Sequence, residues 1–355
     1  MRDIAERVAA GERVTEGDAL AMLATPDING LGAIADAVRA RLHDRRAFYG
    51  CSVNLNYTNV CELRCPLCAF SCDEGDSGAY VLDMEEVARR VRHACDCGVD
   101  QVHIVGALNP ALELDYYRQL VSTVKAVRED LYIVGFTATE YDYMSQISGA
   151  SVDRLLTEFR EAGVSALPGG GAEVFDAEVR QRIAPKKISG DQWLAVMRTA
   201  HRVGLRSNAT LLYNHVETDA HVVDHLRRLR ALQDETGGFQ ALVPLPYHGE
   251  RTEVPARRRR PTGLDTVRLF ATARIYLDNF PHIKALWMYL GWKTVQALMH
   301  FGVDDIGATY LNEKIVHAAG ASTPDSGSEE ALRGMIQQAG FTPVRTNAGY
   351  EKASE

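Results

Sequence analysis

Four of the seven cysteines fall between Cys61 and Cys72, and three of them, Cys61, Cys65 and Cys68, occupy the segment CELRCPLCAF with C-x3-C-x2-C spacing. Thiolates this close in one loop can wrap one corner of a cubane [4Fe-4S] cluster. Three protein ligands leave the fourth iron open, and an open iron can chelate a small molecule through an amine and a carboxylate. The competing chemistry is a zinc site or a set of buried thiols. Zinc asks for a fourth Cys or His, and Cys72 stands close enough in sequence to supply it. Spacing alone leaves both open. Cys95 and Cys97 close a helical stretch and read as packing residues, while Cys51 and Cys72 receive no role in the cluster reading.

A metal-binding loop needs rigid elements beneath it, and the chain from residue 49 onward supplies them. Short β-rich runs near 51–56, 101–106, 131–137, 164–167, 205–212, 239–244, 282–288 and 303–306 alternate with amphipathic stretches such as MEEVARRVRHAC, LDYYRQLVSTVKAVRE, VVDHLRRLRALQDE and LDTVRLFATARIYLDN. Alternation of this kind predicts parallel βα units, and eight of them close most naturally as an α/β (βα)8 TIM-type barrel. A doubly wound open sheet is the alternative, but it would carry a glycine-rich dinucleotide or phosphate loop that the sequence lacks. In a barrel, chemistry sits on loops at the C-terminal ends of the strands, and the cysteine segment directly follows the first strand, VNLNY. Residues 1–48 read as an N-terminal helical extension, with Thr15 as an N-cap, residues 49–321 as the barrel, and 322–355 as a C-terminal helix and polar tail.

Composition narrows the function classes. Hydrophobic residues at 46% and charged residues at 24% suit a globular chain able to bury a large core. A formal charge of −8 argues against a broad nucleic-acid-binding face, which needs clustered cations. The first residues are charged throughout and no run of about 18 apolar residues occurs, so a cytoplasmic protein without a membrane partner is expected. An odd number of crowded cysteines in such a chain favours metal ligation over disulfides. The run Arg257–Arg260 reads as a solvated stretch, with steering of an anionic substrate as its functional alternative.

Several segments carry a resemblance to a known family: NLNYTNVC, HIVGALNP, FTATE, LPGGGAEVF, LRSNATLLYNHVET, LQDETGGFQALVPL and DNFPHIKALW. Together with the cysteine motif they resemble the radical S-adenosylmethionine superfamily, in its menaquinone (futalosine) and deazaflavin branch, over roughly residues 50–345. The likeness is greatest to the aminofutalosine synthase group. It implies a [4Fe-4S] cluster on Cys61, Cys65 and Cys68, S-adenosylmethionine as a consumed co-substrate, a flavodoxin- or ferredoxin-type reductant, and a small-molecule anionic substrate. The implied reaction adds the 5′-deoxyadenosyl radical to the enol ether of 3-[(1-carboxyvinyl)oxy]benzoate. Neighbouring alternatives are a dehypoxanthine futalosine cyclase-like and a deazaflavin synthase-like enzyme; a non-catalytic zinc or electron-transfer protein is the alternative of another class. By the same resemblance Phe70 packs on the adenine, and Gly106 and Ala107 meet the methionine amino group. The chain departs from the family pattern at Leu67, usually aromatic, at Asn109, usually histidine, and at Asn214, usually glycine.

The remaining candidates follow from their places at strand ends. Glu140 closes the third strand and can meet ribose hydroxyls or serve as a helix N-terminal acid. Gly169–Gly171 let backbone lie flat against a ligand, with Glu173 just beyond as a substrate or ribose contact. Period-two alternation puts Arg206 and Asn208 on one face of the fifth strand, able to reach a carboxylate of methionine or substrate. Tyr213, His215 and Glu217 form a second polar set, with His215 as a proton donor or carboxylate ligand, and His248 ends the sixth strand. Arg274 and Lys314 read as structural ion-pair residues.

Overall fold

Ten strands are defined in the computed structural model, which describes residues 1–256, 262–311, 314–324 and 326–351. They are β1 (Arg46–Gly50), β2 (Ser52–Leu55), β3 (Gln101–Ile104), β4 (Tyr132–Gly135), β5 (Val164–Leu167), β6 (Arg206–Tyr213), β7 (Phe239–Pro246), β8 (His282–Ile283), β9 (Asp305–Ala308) and β10 (Thr342–Arg345). Strands β2 to β8 form one parallel seven-stranded sheet in strict sequence order. Helices follow most of them, among them Met84–Asp96, Leu114–Val127, Asp219–Thr236 and Gly263–Tyr276. The first of these lays an apolar stripe of Val87, Val91 and Ala94 on the sheet, whereas Leu269–Tyr276 of the last is buried all round, between the barrel and the N-terminal helices. With helices outside and the barrel closing over the inner face, β2 is buried at every position, the mark of a parallel sheet covered on both faces.

The two edges of this sheet are joined by residues 305–311. Asp305 bridges to Lys284 just after β8, and Leu311 bridges to Val53 of β2. The Asn54 amide donates to the Leu311 carbonyl at 3.1 Å, and the Leu311 amide to Ser52 at 3.0 Å. The barrel reading therefore stands, with one correction. The eighth strand, β9, takes β1 as its main partner and belongs to a three-stranded sheet ordered β10-β1-β9. Two local expectations also change. The strand expected over 282–288 ends at Ile283 and Trp287–Leu290 is a short helix, while 46–48, placed in the helical extension, belong to the strand Arg46–Gly50. Asp44, at a φ of 52°, turns the chain out of the helix Ile28–His43 and into it.

The N-terminal helices pack on the outside of the barrel. Thr15 caps the helix Glu16–Ala24 by accepting from the Asp18 amide. Arg13 ties this region to the barrel through Asp234 at 2.6 Å and Asp278 at 2.8 Å. No helix among the described residues is long and apolar enough to cross a membrane. The arginine run 257–260 lies outside the described residues.

A buried polar knot closes the end of the barrel where the strands begin. Arg274 pairs with Asp304, whose other oxygen lies 2.5 Å from His282 Nδ1, and Tyr350 stacks on His282 at 3.5 Å between ring centroids. Burial alone would raise the Asp304 carboxyl, but the charge of Arg274, with His282, holds it down at about 2. Since that lies below the ordinary 3.8, the Asp304 contribution to stability is complete above that value and is lost as pH falls towards 2. Asp304→Asn leaves the buried Arg274 without its counterion, which costs about 3–5 kcal/mol. Thermal melts should show a lower Tm at neutral pH, with the gap to the parent narrowing between pH 4 and pH 2; a gap that stays constant there would clear Asp304 of this role.

Candidate active site

The loop between β2 and the helix Met84–Asp96 is held by its own backbone. The Cys61 amide donates to Cys72 at 3.1 Å, and the Cys72 amide to Asn59 at 3.0 Å. Asn59 Nδ2 in turn donates to Gly78 at 2.8 Å. Within the loop Arg64 adopts a positive φ of 43°, and the Cys68 amide closes a tight turn on the Cys65 carbonyl at 2.9 Å. This folding brings Cys61, Cys65 and Cys68 to the wall of one cavity of about 380 Å³, with all three thiols free. Burial pushes the Cys65 thiol up to about 11, against the pull of the nearby Lys187 ammonium.

The cavity runs from these thiols, beyond the C-terminal ends of the strands, down to Ser52 and Gln101, the first residues of β2 and β3. Phe70, Gly106, Ala107, Glu140, Glu173, Asn208 and His248 line it, as does Leu67. Gly106 has no room for a side chain, since a Cβ would meet the Tyr57 ring at 2.4 Å. Gly169 is equally confined, because a Cβ would lie 2.7 Å from the Ala209 backbone on β6. Glu140 accepts from the Tyr57 hydroxyl at 2.7 Å, the Gly106 amide at 3.0 Å and the Thr137 amide at 2.7 Å. It completes a capping box with Thr137, so the helix-terminus role is the one its geometry displays. Its carboxylate fixes the Gly106 loop against the cavity.

Glu173, at a φ of 48°, ion-pairs with Lys187 Nζ at 2.6 Å. Burial would raise its carboxyl, but Lys187 outweighs this and holds it below the usual range. Lys187 is a cavity residue that sequence reading missed, as are His103 and Lys284. A signal existed for His103, because in β3 it shares period-two parity with Gln101 and both line the cavity.

Residues 55–229 match the profile of the radical SAM superfamily, and residues 236–354 match the CofH/MqnC C-terminal region. The chain is 38% identical to aminodeoxyfutalosine synthase of Thermus thermophilus, over 98% of its own length and 95% of the relative. The chain belongs to the radical SAM superfamily. A 5-amino-6-(D-ribitylamino)uracil–L-tyrosine 4-hydroxyphenyl transferase of Methanopyrus kandleri is 34% identical, with 99% of each chain covered. A cyclic dehypoxanthine futalosine synthase of Streptomyces coelicolor is also 34% identical, over 99% of this chain and 88% of that one. Among solved structures, methylornithine synthase superposes with a TM-score of 0.77 at 17% identity, covering 96% of this chain and 97% of that one, a likeness of fold. The chain is thus an enzyme whose family uses a [4Fe-4S] cluster and S-adenosylmethionine. The site fits both groups: three free thiols face one cavity, a buried ammonium stands beside them, and glycine backbone forms the adjoining wall.

Other sequence candidates stand elsewhere. Arg206 is exposed at the N-terminal end of β6, the end away from the cysteine loop, and does not line the cavity. His215 is also a correction: it is buried behind the wall, with Nε2 3.0 Å from the Leu212 carbonyl and Nδ1 3.2 Å from Glu217. Burial lowers the His215 imidazole despite that carboxylate. Glu217 accepts the amides of Asn214 and His215, and Tyr213 meets Thr266 at 3.2 Å. Asn214 sits at a φ of 74°, a conformation open to glycine and tolerated by asparagine, so that departure is conformational. Asn109 makes a local turn by accepting from the Ala111 amide at 2.9 Å. Neither asparagine lines the cavity. Cys51 and Cys72 also lie off it, and Cys97, read as a packing residue, is exposed. Lys314 lies over the Tyr80 ring at 5.2 Å.

Proposed function

We propose that this enzyme joins the adenosyl group of S-adenosylmethionine to 3-[(1-carboxyvinyl)oxy]benzoate, with loss of carbon dioxide, as an aminodeoxyfutalosine synthase of menaquinone biosynthesis. The observation that carries the reading is a single cavity reaching from three free thiols to the barrel floor, in a chain 38% identical over 98% of its length to a protein of that name. Cys61, Cys65 and Cys68 would hold the cluster, whose electron breaks the carbon–sulfur bond of S-adenosylmethionine and frees the 5′-deoxyadenosyl radical. Gly106 and Ala107 offer backbone to the methionine end, and Phe70 an apolar face to the adenine. Leu212, Val243, Leu245, Leu286 and Met288 give the cavity an apolar stretch of wall, which would exclude water from a reactive carbon and hold the acceptor within reach. The electron would come from a flavodoxin- or ferredoxin-type protein. Seven free cysteines suit a reducing compartment, and we place the enzyme in the cytoplasm.

Mass spectrometry of an anaerobic reaction tests this, with reconstituted protein, dithionite, S-adenosylmethionine and the enol ether. The expected product carries the adenosyl group and has lost carbon dioxide. Release of 5′-deoxyadenosine with the enol ether intact would overturn the synthase reading and favour the reactions of the 34% identical relatives.

A further inference from the structure

The inner face of a filled parallel barrel is normally layered with Val, Ile and Leu. The floor of this cavity is instead polar. Ser52, Asn54, Gln101, His103, Asn208 and Lys284 all line it. Asn54 and His103 are paired in register on β2 and β3, with Ser52 and Gln101 paired two residues below. Asn54 Oδ1, Gln101 Oε1, Asn208 Oδ1 and Ser52 Oγ are buried with no hydrogen-bond partner among the described residues. Orphaned polar atoms of this kind are costly inside a protein; the three amide atoms among them are oxygens, which accept, so what these side chains can offer to an anionic occupant of the cavity is the NH2 end of each amide. Lys284 supplies the one positive side chain of this group; its Nζ lies 3.0 Å from Asp305 Oδ2, an oxygen already shared with the Tyr350 hydroxyl at 2.7 Å.

We propose that His103 and Lys284, with the amides of Asn54 and Asn208, form a carboxylate-binding subsite that seats the benzoate end of the substrate. This rests on the synthase reading and fixes the substrate's direction within it. The vinyl carbon must face the thiol end, where the adenosyl group is delivered. The far end of the substrate then points down the strands, past the C-terminal ends of β2 and β3 to the Asn54–His103 pair one residue below them, with Ser52 and Gln101 two residues further down. That far end is an aromatic carboxylate, which asks for a cation and several hydrogen-bond donors. An ammonium, an imidazole N–H and amide groups able to turn their NH2 inward meet that demand. Burial and the charge of Lys284 keep the His103 imidazole down at about 4, so it is neutral when the cavity is empty and can offer one N–H.

Binding of 3-hydroxybenzoate and of 3-hydroxybenzamide to the reconstituted holoenzyme, measured by calorimetry, tests the subsite without turnover. The benzoate should bind the parent roughly tenfold or more tightly than the amide, and His103→Ala and Lys284→Met should abolish that preference. In turnover, both variants should raise the KM for the enol ether by a similar factor while the KM for S-adenosylmethionine moves far less. Lys284→Met leaves Asp305 without its cation and can fail to fold. His103→Ala, which leaves the Lys284–Asp305 pair in place, then gives the answer alone. Equal binding of benzoate and benzamide to the parent, or a preference that survives in His103→Ala, would overturn the subsite. A parent that makes the adduct yet shows no benzoate preference would sink the subsite and leave the synthase reading intact. A benzoate preference lost in the variants, in a parent that makes no adduct, would do the reverse.

Discussion

Replacing Cys65 with alanine is expected to remove the iron and sulfide from the purified protein, abolish its brown colour and bring S-adenosylmethionine cleavage to background. Cys65 is the central thiol of the set and the most buried, at 6% exposure, while Cys61 and Cys68 are half-buried. Two remaining thiols cannot hold three corners of a cubane, and no other cysteine lines the cavity to replace the third. The barrel itself should survive. The loop is fixed by backbone hydrogen bonds at Cys61, Cys72 and Asn59, and the lost side chain is one small buried group, worth about 1 kcal/mol. Circular dichroism and the Tm of the apo-protein should therefore match the parent's. Cys72→Ala is the control. Its thiol is directed towards the Asn59 carbonyl at 3.7 Å rather than into the cavity, and the variant should keep its iron. Cleavage that persists in Cys65→Ala, or iron lost from Cys72→Ala, would mean that the ligand set is wrong.

How far these features could be read from sequence depended on whether the signal was local. The strands of the large sheet stand out because each is a short run buried on both faces between an amphipathic helix and a loop, so β3, β4 and β5 fall close to where the pattern put them. Strands β1 and β10 carry no such rhythm. They pair Phe48 with Val344 across nearly the whole chain, and no local pattern encodes that partnership. Alternation put Arg206 and Asn208 on one face of β6, and Asn208 lines the cavity. Parity fixes a face, however, and not an end, and Arg206 stands where the strand enters the barrel, in solvent. His215 misled for a related reason. Polar residues after a strand can build the turn as readily as the site, and Glu217 uses both carboxylate oxygens on the turn's own amides. Lys187 was hidden because its partner Glu173 lies 14 residues away in no recognisable motif.

Lys187→Met should change both stability and the cluster. The Lys187–Glu173 pair is largely shielded, with side-chain exposures of 19% and 12%, and the Leu212 amide donates to the Glu173 carbonyl at 2.9 Å, fixing that segment against β6. Burial would lower the Lys187 ammonium, but Glu173 and the Cys65 thiol hold it above its ordinary value, so it carries a charge at any working pH. Removing it strands the Glu173 carboxylate, at a cost of about 3–5 kcal/mol. The same ammonium lies near enough to Cys65 and Cys68 to interact with both thiols. A positive charge beside a cluster favours its reduced form, since net local charge is one of the quantities that sets an iron–sulfur potential. Lys187→Met should shift the midpoint to a more negative value in an EPR-monitored titration and slow S-adenosylmethionine cleavage. Glu173→Gln should shift it the other way, because it removes the negative partner and keeps the positive one. The double variant, with neither charge, should recover much of the lost Tm while its midpoint stays between the two extremes. Opposite shifts in the single variants are what a structural ion pair alone would not produce. If both midpoints stay at the parent value while Tm falls, the pair holds the wall of the cavity and leaves the cluster untouched.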